Sequence, residues 1–165
     1  MSFGLGRPSV NNNTPDWPLD DPSTLWSAAS EGYLTILQDC LRTLQQTPDC
    51  ADENGYTLLQ AAASYGQISV MEWLLQQPQV RVDATDHDGD TALHHATTVP
   101  AAQILLQKQP ALLYQRNQEQ QTALEAKQAE LQEILDDPDH EDDDEELVQL
   151  KAMVEFLQSA SHVAQ

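Results

Sequence analysis

Small and bulky apolar residues recur along this chain in a pattern that returns about every 34 residues. The segment 52–63, DENGYTLLQAAA, returns at 86–97 as DHDGDTALHHAT, and a weaker copy lies at 117–126 as NQEQQTALEA. Upstream, the segment 25–32, LWSAASEG, aligns with 59–66 at the same spacing but lacks the preceding turn. The chain therefore contains four related units.

Each unit predicts a tight turn followed by two helices. Asp-x-x-Gly forms the turn, because the Asp side chain bonds backbone amides and Gly tolerates a positive φ. The Thr that follows is a helix N-cap, so we expect first helices to begin at Leu58, Ala92 and Ala123. Gly32 and Gly66 end the first helices of the first two units. A bulky apolar stripe on the second helix of unit two comprises Val70, Met71, Trp73, Leu74 and Leu75.

The fourth unit is interrupted by a run of acidic residues. Nine of the eleven residues at 136–146 are Asp or Glu. Such a run cannot pack, and self-repulsion should keep it extended. Apolar residues then return at helical spacing, so we predict an acidic loop between the two helices of a capping unit. The returning residues are Leu147, Leu150, Met153, Val154, Phe156 and Leu157.

The repeated segment resembles the ankyrin repeat, a unit of about 33 residues with a Thr-Pro-Leu-His-x-Ala core. The segment 91–96, TALHHA, comes closest. The resemblance covers roughly 23–109 well and 117–158 loosely. It departs from the family pattern at Val99-Pro100 in place of the Gly turn, at Gln120 in place of Gly, and at Lys127 in place of the second Ala.

The resemblance implies an all-α ankyrin-repeat solenoid of about four helix-turn-helix units with short hairpin turns. We place the units at 23–51, 52–85, 86–116 and 117–160, preceded by a flexible N-terminal arm at 1–22 and followed by a tail at 161–165. Trp17 and Leu19 of the arm are candidates for docking on the first unit.

The balance of charge favours a basic partner. The chain has 27 acidic and 7 basic residues, a formal net charge of −20. This charge repels nucleic acid and anionic membrane surfaces, so we expect neither as a direct partner; solubility alone is the alternative explanation. The first 21 residues lack an apolar signal-peptide core, and Cys40 and Cys50 form no disulfide framework. We therefore expect a monomer in the cytoplasm, with the nucleus as a second compartment.

The sequence contains no recognisable catalytic motif, and we predict a non-enzymatic protein without cofactor or metal. Phosphate-binding loops, dinucleotide fingerprints, nucleophile elbows and zincin motifs are all missing. The segment 86–90 begins like a calcium loop, but the sixth and twelfth positions hold Asp90 and Thr97 rather than Gly and Glu. His94 and His95 are adjacent on a helix and point to different faces, so a metal site with His87 is disfavoured.

In ankyrin-repeat proteins the turn tips and first helices form a concave binding surface, and the resemblance places the partner-binding residues there. No Lys or Arg falls among them, and the acidic loop is a candidate clamp over the same ligand. The predicted contacts are Glu31, Glu53, Asn54, Tyr56, Tyr65, His87, Asp88, Asp90, Glu119 and Gln121, with Asp142, Asp143, Asp144, Glu145 and Glu146 of the loop.

Two classes of function follow. The first is an escort or chaperone that shields a basic client, such as a newly made ribosomal protein. The chain is similar in size, repeat number and acidic insert to small fungal ankyrin-repeat proteins, one of which is a chaperone for a ribosomal protein of the small subunit. The second is a scaffold or regulatory subunit that recognises a peptide motif in a signalling or degradation complex. A nucleic-acid mimic shares the acidity and is a third possibility.

Overall fold

The computed structural model describes residues 14–136 and 145–163. Helices come in pairs, and the described residues form no β-strand beyond the isolated bridges between Ala51 and Thr57 and between Thr85 and Thr91. The predicted all-helical fold is confirmed. The elements are α1 (Ser23–Glu31), α2 (Leu34–Leu44), α3 (Leu58–Ser64), α4 (Ile68–Leu74), α5 (Ala92–His95), α6 (Val99–Lys108), a 3-10 helix (Pro110–Tyr114), α7 (Ala123–Asp136) and α8 (Glu145–Val163).

The first helices of the four units, α1, α3, α5 and α7, pack side by side in chain order. Their inner positions are small, because neighbouring backbones must approach closely to stack. The bulky core residues come largely from the second helices, among them Leu37, Met71, Leu74 and Leu105, all completely buried. The alanines buried between the first helices are Ala28, Ala29, Ala61, Ala62, Ala63, Ala92 and Ala96.

The predicted helix starts are confirmed, since α3, α5 and α7 begin at Leu58, Ala92 and Ala123. The start of α3 is fixed by a capping box. The Gln60 backbone N–H donates to Thr57 Oγ1 over 3.2 Å, and the Thr57 N–H donates to Gln60 Oε1 over 2.7 Å. Two amides that lack helical partners are thereby satisfied.

The third unit differs from the expected pattern because its first helix has only four residues. Val99 and Pro100, which stand where the family pattern has its Gly turn, begin α6, and Thr98 caps that helix by accepting from the Ala101 N–H. Pro is compatible with the first turn of a helix, where its missing N–H costs nothing. An early start for α6 thus leaves α5 no room to continue.

Residues 14–22 lie against the first unit, so this part of the predicted arm belongs to the packed domain. The Trp17 ring meets the Tyr33 ring edge to face, with centroids 5.4 Å apart. The buried Cys40 thiol donates to the Leu19 carbonyl over 3.2 Å. These contacts cover the exposed end of the solenoid, as terminal repeats require.

The predicted boundaries of the acidic loop and the tail need correction. Asp136 is the last residue of α7, and Glu145 and Glu146 form the first turn of α8. Negative side chains at a helix N-terminus are favoured by the helix dipole. The remaining acidic residues, 137–144, lie outside the described residues. At the other end α8 continues to Val163, so 161–163 are helical rather than part of a tail.

Each unit is joined to the next by a hydrogen bond from one structurally equivalent position of the first helix. Three chemically different side chains occupy this position, and each donates an N–H to a backbone carbonyl in the turn of the next unit. The accepting residue is the one directly before the Thr at which the next first helix starts. The bonds run from Trp26 Nε1 to Tyr56 O (3.2 Å), from Gln60 Nε2 to Asp90 O (2.6 Å) and from His94 Nε2 to Gln121 O (3.1 Å).

Replacement of Gln60 should destabilise the fold. Gln60→Ala removes one of the two donors to the Asp90 carbonyl, which keeps the Asp86 N–H, and the Gln60 acceptor of the Thr57 amide. Because two hydrogen bonds are lost, we expect the free energy of unfolding, measured by urea denaturation, to fall by about 2 kcal/mol. The matched control is Gln128→Ala on the exposed face of α7, which should change stability by less than about 0.5 kcal/mol. Equal effects of the two substitutions would contradict the bridging role.

Candidate binding surface

The turns between units are rigid because one side chain at the start of each turn holds the backbone. Asp52 Oδ1 accepts from the N–H groups of Asn54 and Tyr56, at 2.9 and 2.8 Å. Asp86 Oδ1 accepts from the N–H groups of Asp88 and Asp90 in the same way, and Asn117 Oδ1 accepts from the N–H of Gln121. In the last turn Gln120 takes the place of Gly with a φ of 63°, a left-handed conformation that costs about 1 kcal/mol for a residue with a side chain.

Successive turns are bonded to one another, so their tips form a continuous row. The His87 N–H donates to the Asn54 carbonyl over 2.9 Å, and the Gln118 N–H donates to the Asp88 carbonyl over the same distance. Five predicted contact residues stand exposed along this row: Glu53, Asn54, His87, Asp88 and Glu119. The fold therefore brings together residues from three units that are far apart in sequence.

Two other predicted contacts, Asp90 and Gln121, are half-buried and already used within the fold. Asp90 Oδ1 accepts from Asn117 Nδ2 over 2.8 Å, which ties the second turn to the third. The Gln121 carbonyl accepts from His94. Both residues support the row of turns, whereas the tips between them present exposed side chains.

The two predicted tyrosine anchors differ in their surroundings. Tyr56 is half-buried, its hydroxyl lies 2.7 Å from Ser64 Oγ, and its ring packs edge to face on His95 with centroids 5.0 Å apart. Burial raises the pKa of the Tyr56 phenol. Tyr65 follows α3 directly and is 65% exposed. Tyr56 is thus part of the joint between units two and three, and Tyr65 is the aromatic side chain presented to solvent.

The acidic hairpin formed by α7 and α8 lies away from the turn tips. α7 starts at the third turn and runs for 14 residues, about 20 Å at 1.5 Å per residue. Glu145 and Glu146 are exposed at the start of α8, while Asp142, Asp143 and Asp144 lie outside the described residues. The far end of α7, at Asp136, therefore lies about 20 Å from the third turn, whereas Glu146 borders a notch with Thr97, Lys127 and Glu130.

A cation that sequence reasoning missed borders the third turn. Arg116 donates to the Gln120 carbonyl and pairs with Glu125, with Nη1 2.7 Å from Oε2. The backbone N–H of Thr122, assisted by Arg116, lowers the pKa of the Glu125 carboxyl. The pairing joins residues nine positions apart across a helix start, so no helical periodicity signals it. Because Glu125 balances its charge, Arg116 adds no net positive charge to the surface.

One group in the described residues has the spacing of metal ligands, and it is not the trio of His87, His94 and His95. Side-chain ligand atoms of Asp86, Asp90 and His95 lie within 4.8 Å of one another. His95 Nε2 is 2.6 Å from Asp86 Oδ2, and the other Asp86 oxygen accepts the two turn amides. These hydrogen bonds account for the cluster as part of the joint between turn and helix.

An apolar groove lies elsewhere on the molecule, between α6, the 3-10 helix and α8. Its lining has no charged side chain and comprises Gln103, Leu106, Gln107, Pro110, Leu113, Phe156, Ser159, Ala160 and Val163. Since it lies along second helices, it is separate from the row of turn tips.

The two tyrosines should respond differently to truncation. Tyr56→Ala removes a half-buried ring and the hydrogen bond to Ser64, so we expect a loss of about 2 kcal/mol in the free energy of unfolding. Tyr65→Ala removes an exposed ring and should change stability by less than about 0.5 kcal/mol. Thermal and urea denaturation of both variants test the assignment, and a large loss for Tyr65→Ala would show that its ring is structural.

Comparison with known proteins agrees with the repeat geometry. A family model of three ankyrin repeats matches residues 25–117, more than half of the chain. A search of curated proteins found no match. No helix of the described residues is long and apolar enough to cross a membrane. The extent of the family match, with the paired helices and bonded turns, shows that the chain belongs to the ankyrin-repeat family.

Proposed function

We propose that this protein is an escort that binds a basic client protein along the row of turn tips. Ankyrin repeats are protein–protein interaction modules, typically without enzymatic activity, so another protein is the partner that the family implies. The observation that carries the more specific proposal is the exposure of Glu53, Asp88 and Glu119 on three successive turns. Each turn thus presents a carboxylate that the fold does not use.

The placement of cations supports a net negative surface. Arg42 pairs with Asp39, with Nη1 2.8 Å from Oδ1, on the second-helix side of unit one. Lys127 is buried in α7, with Nζ 2.9 Å from Glu130 Oε2. Arg116 is balanced by Glu125, as described above. Each of these three described cations is thus paired with a carboxylate, as is Arg81 with Asp83, with Nε 3.4 Å from Oδ1.

Such a surface recognises charge with modest energy per contact. An exposed ion pair contributes about 0.2–1 kcal/mol and is screened by salt. Several pairs acting together also steer a positively charged partner into contact. A newly made ribosomal protein is a client with this chemistry, since its Lys and Arg residues await RNA. The acidic residues from Asp142 to Glu146 extend the same attraction.

The proposal is tested with two double variants that remove the same number of charges from different surfaces. Glu53→Gln with Asp88→Asn removes two carboxylates from the turn tips. Glu72→Gln with Glu155→Gln removes two exposed carboxylates from second helices. Immobilised full-length variants are used to capture proteins from a cell lysate at about 50 mM and about 500 mM NaCl, and the retained proteins are identified.

We expect basic proteins to be retained at low salt and lost at high salt. The turn-tip pair should weaken the Kd of a retained client about tenfold, equivalent to about 1.4 kcal/mol, and the control pair less than about twofold. Capture of salt-resistant kinase, ligase or trafficking subunits would contradict the escort and favour a scaffold. Loss of the client on addition of free RNA or DNA is expected of the escort and of a nucleic-acid mimic alike, because both cover the basic residues that bind nucleic acid.

The acidic segment has a separate test. Replacement of Asp142, Asp143 and Asp144 by Asn should weaken binding of the same client a further few-fold at low salt, since three charges are removed. The free energy of unfolding is measured in parallel. Unchanged affinity would remove the segment from the binding surface and leave it a role in solubility.

A further inference from the structure

The ladder of hydrogen bonds that joins the turns has an open end at the last turn. The Asn54 carbonyl accepts from the His87 N–H, and the Asp88 carbonyl accepts from the Gln118 N–H, each over 2.9 Å. Glu119 holds the same position in the last turn as Asp88 in the turn before it. In the part of the chain that the structure describes, no group donates to the Glu119 carbonyl. The last turn thus leaves free an acceptor that the earlier turns use within the fold.

A side chain stands at this open end where the earlier turns have glycine. A Cβ atom on Gly55 would lie 3.2 Å from Asp86 Cα, and one on Gly89 would lie 2.9 Å from the Gln118 backbone nitrogen. The following turn therefore excludes a side chain at both positions. Gln120, at the equivalent position of the last turn, is exposed. A further turn stacked in the same way, from another repeat or from a second copy of the chain, would collide with it.

Gln120 adopts a conformation that glycine would adopt more easily. Its φ of 63° lies in the left-handed region, which disfavours a residue with a Cβ atom. Arg116 donates to the Gln120 carbonyl and pairs with Glu125, so the strained residue is held in place from one side. Among the described residues, the Gln120 carboxamide has no hydrogen-bond partner. A strained residue with an unused polar side chain points to a role outside the fold.

The groups that the open end offers to a ligand are mainly acceptors. They are the Glu119 carbonyl, the Glu119 carboxylate and the Gln120 amide oxygen. The nearby Arg116 guanidinium is already paired with Glu125, with Nη1 2.7 Å from Oε2. A ligand must therefore bring several donors and a positive charge, on a flexible stem that can pass the Gln120 side chain. An arginine side chain meets these requirements, because its guanidinium carries several N–H donors in a planar fork and no acceptor.

We propose that this open end, formed by Glu119 and Gln120, binds one arginine side chain of the client. The guanidinium donates to the Glu119 carbonyl and to the Gln120 amide oxygen, and the Glu119 carboxylate balances its charge. The inference rests on the proposed function, because it names the side chain that the row of turn tips prefers at its last position. A lysine ammonium is a compact charge and gains less from acceptors spread over two residues.

The test compares two basic peptides on the full chain at about 50 mM NaCl. Both have about ten residues, Gly and Ser interspersed with basic positions that are all Arg in one peptide and all Lys in the other. Their affinities are measured by fluorescence anisotropy. We expect the Arg peptide to bind about fivefold more tightly, since its guanidinium makes additional charge-assisted hydrogen bonds.

Gln120→Gly and Gln120→Ala should both abolish the preference for Arg. Gln120→Gly also relieves the left-handed strain, so the urea midpoint should rise, whereas Gln120→Ala keeps the strain and should leave the midpoint unchanged. The matched control is Gln45→Gly, because Gln45 is exposed and left-handed too, with a φ of 53°, but lies at the end of α2. This control should raise the urea midpoint and keep the preference.

The remaining outcomes separate the arginine site from the proposed function. Equal affinity of the two peptides for the unmodified chain, or a preference for Arg that survives both substitutions of Gln120, would overturn the arginine site. The acidic escort then stands if Glu53→Gln with Asp88→Asn weakens the binding of both peptides. If neither peptide binds at low salt and the lysate capture also yields no basic protein, both proposals are overturned.

Discussion

The structure depends on a hydrogen bond that crosses from each repeat to the next. Small residues let the first helices of neighbouring units pack closely, but a polar contact is needed to hold the turn of the next unit. A side chain at one fixed position does so, by donating an N–H to a turn carbonyl in the next unit. Trp26, Gln60 and His94 share only this donor. Losing it removes one of the two donors to a turn carbonyl, because Tyr56, Asp90 and Gln121 also accept from the N–H groups of Asp52, Asp86 and Asn117, and we expect a cost of about 1 kcal/mol.

These bonds determine how the turn tips and helix ends are arranged on the surface. The bridging bonds and the turn ladder fix the turns relative to the helices, so the tips lie in one row and the helix ends in another. The side chains that start the turns, those of Asp52, Asp86 and Asn117, accept hydrogen bonds from backbone amides of the same turn. The carboxylates of Glu53 and Asp88, one or two residues further along, accept none of these bonds. Charge can therefore vary at the tips without cost to the fold.

Much of this architecture could be predicted from the sequence, because the signals are local. Turn residues, N-cap threonines and the apolar stripe of α8 determine the structure of residues only a few positions away in sequence. The sequence does not predict the short α5, because its length depends on where Thr98 starts α6, and no single motif shows that one helix ends where the next begins. Tyr56 was assigned to the surface because its neighbours Ser64 and His95 belong to different helices. The Arg116–Glu125 pair is not predictable from the sequence for the same reason, because it depends on tertiary geometry.

The central claim is that ligand binds along turn tips and first-helix ends rather than in the apolar groove between α6 and α8. Backbone amide chemical shifts of the isotope-labelled chain, followed during titration with a basic client segment, test this most directly. The account predicts shifts at Glu31, Tyr65 and Asp88 that are suppressed by salt. Shifts confined to Leu106, Phe156 and Val163, insensitive to salt, would contradict it.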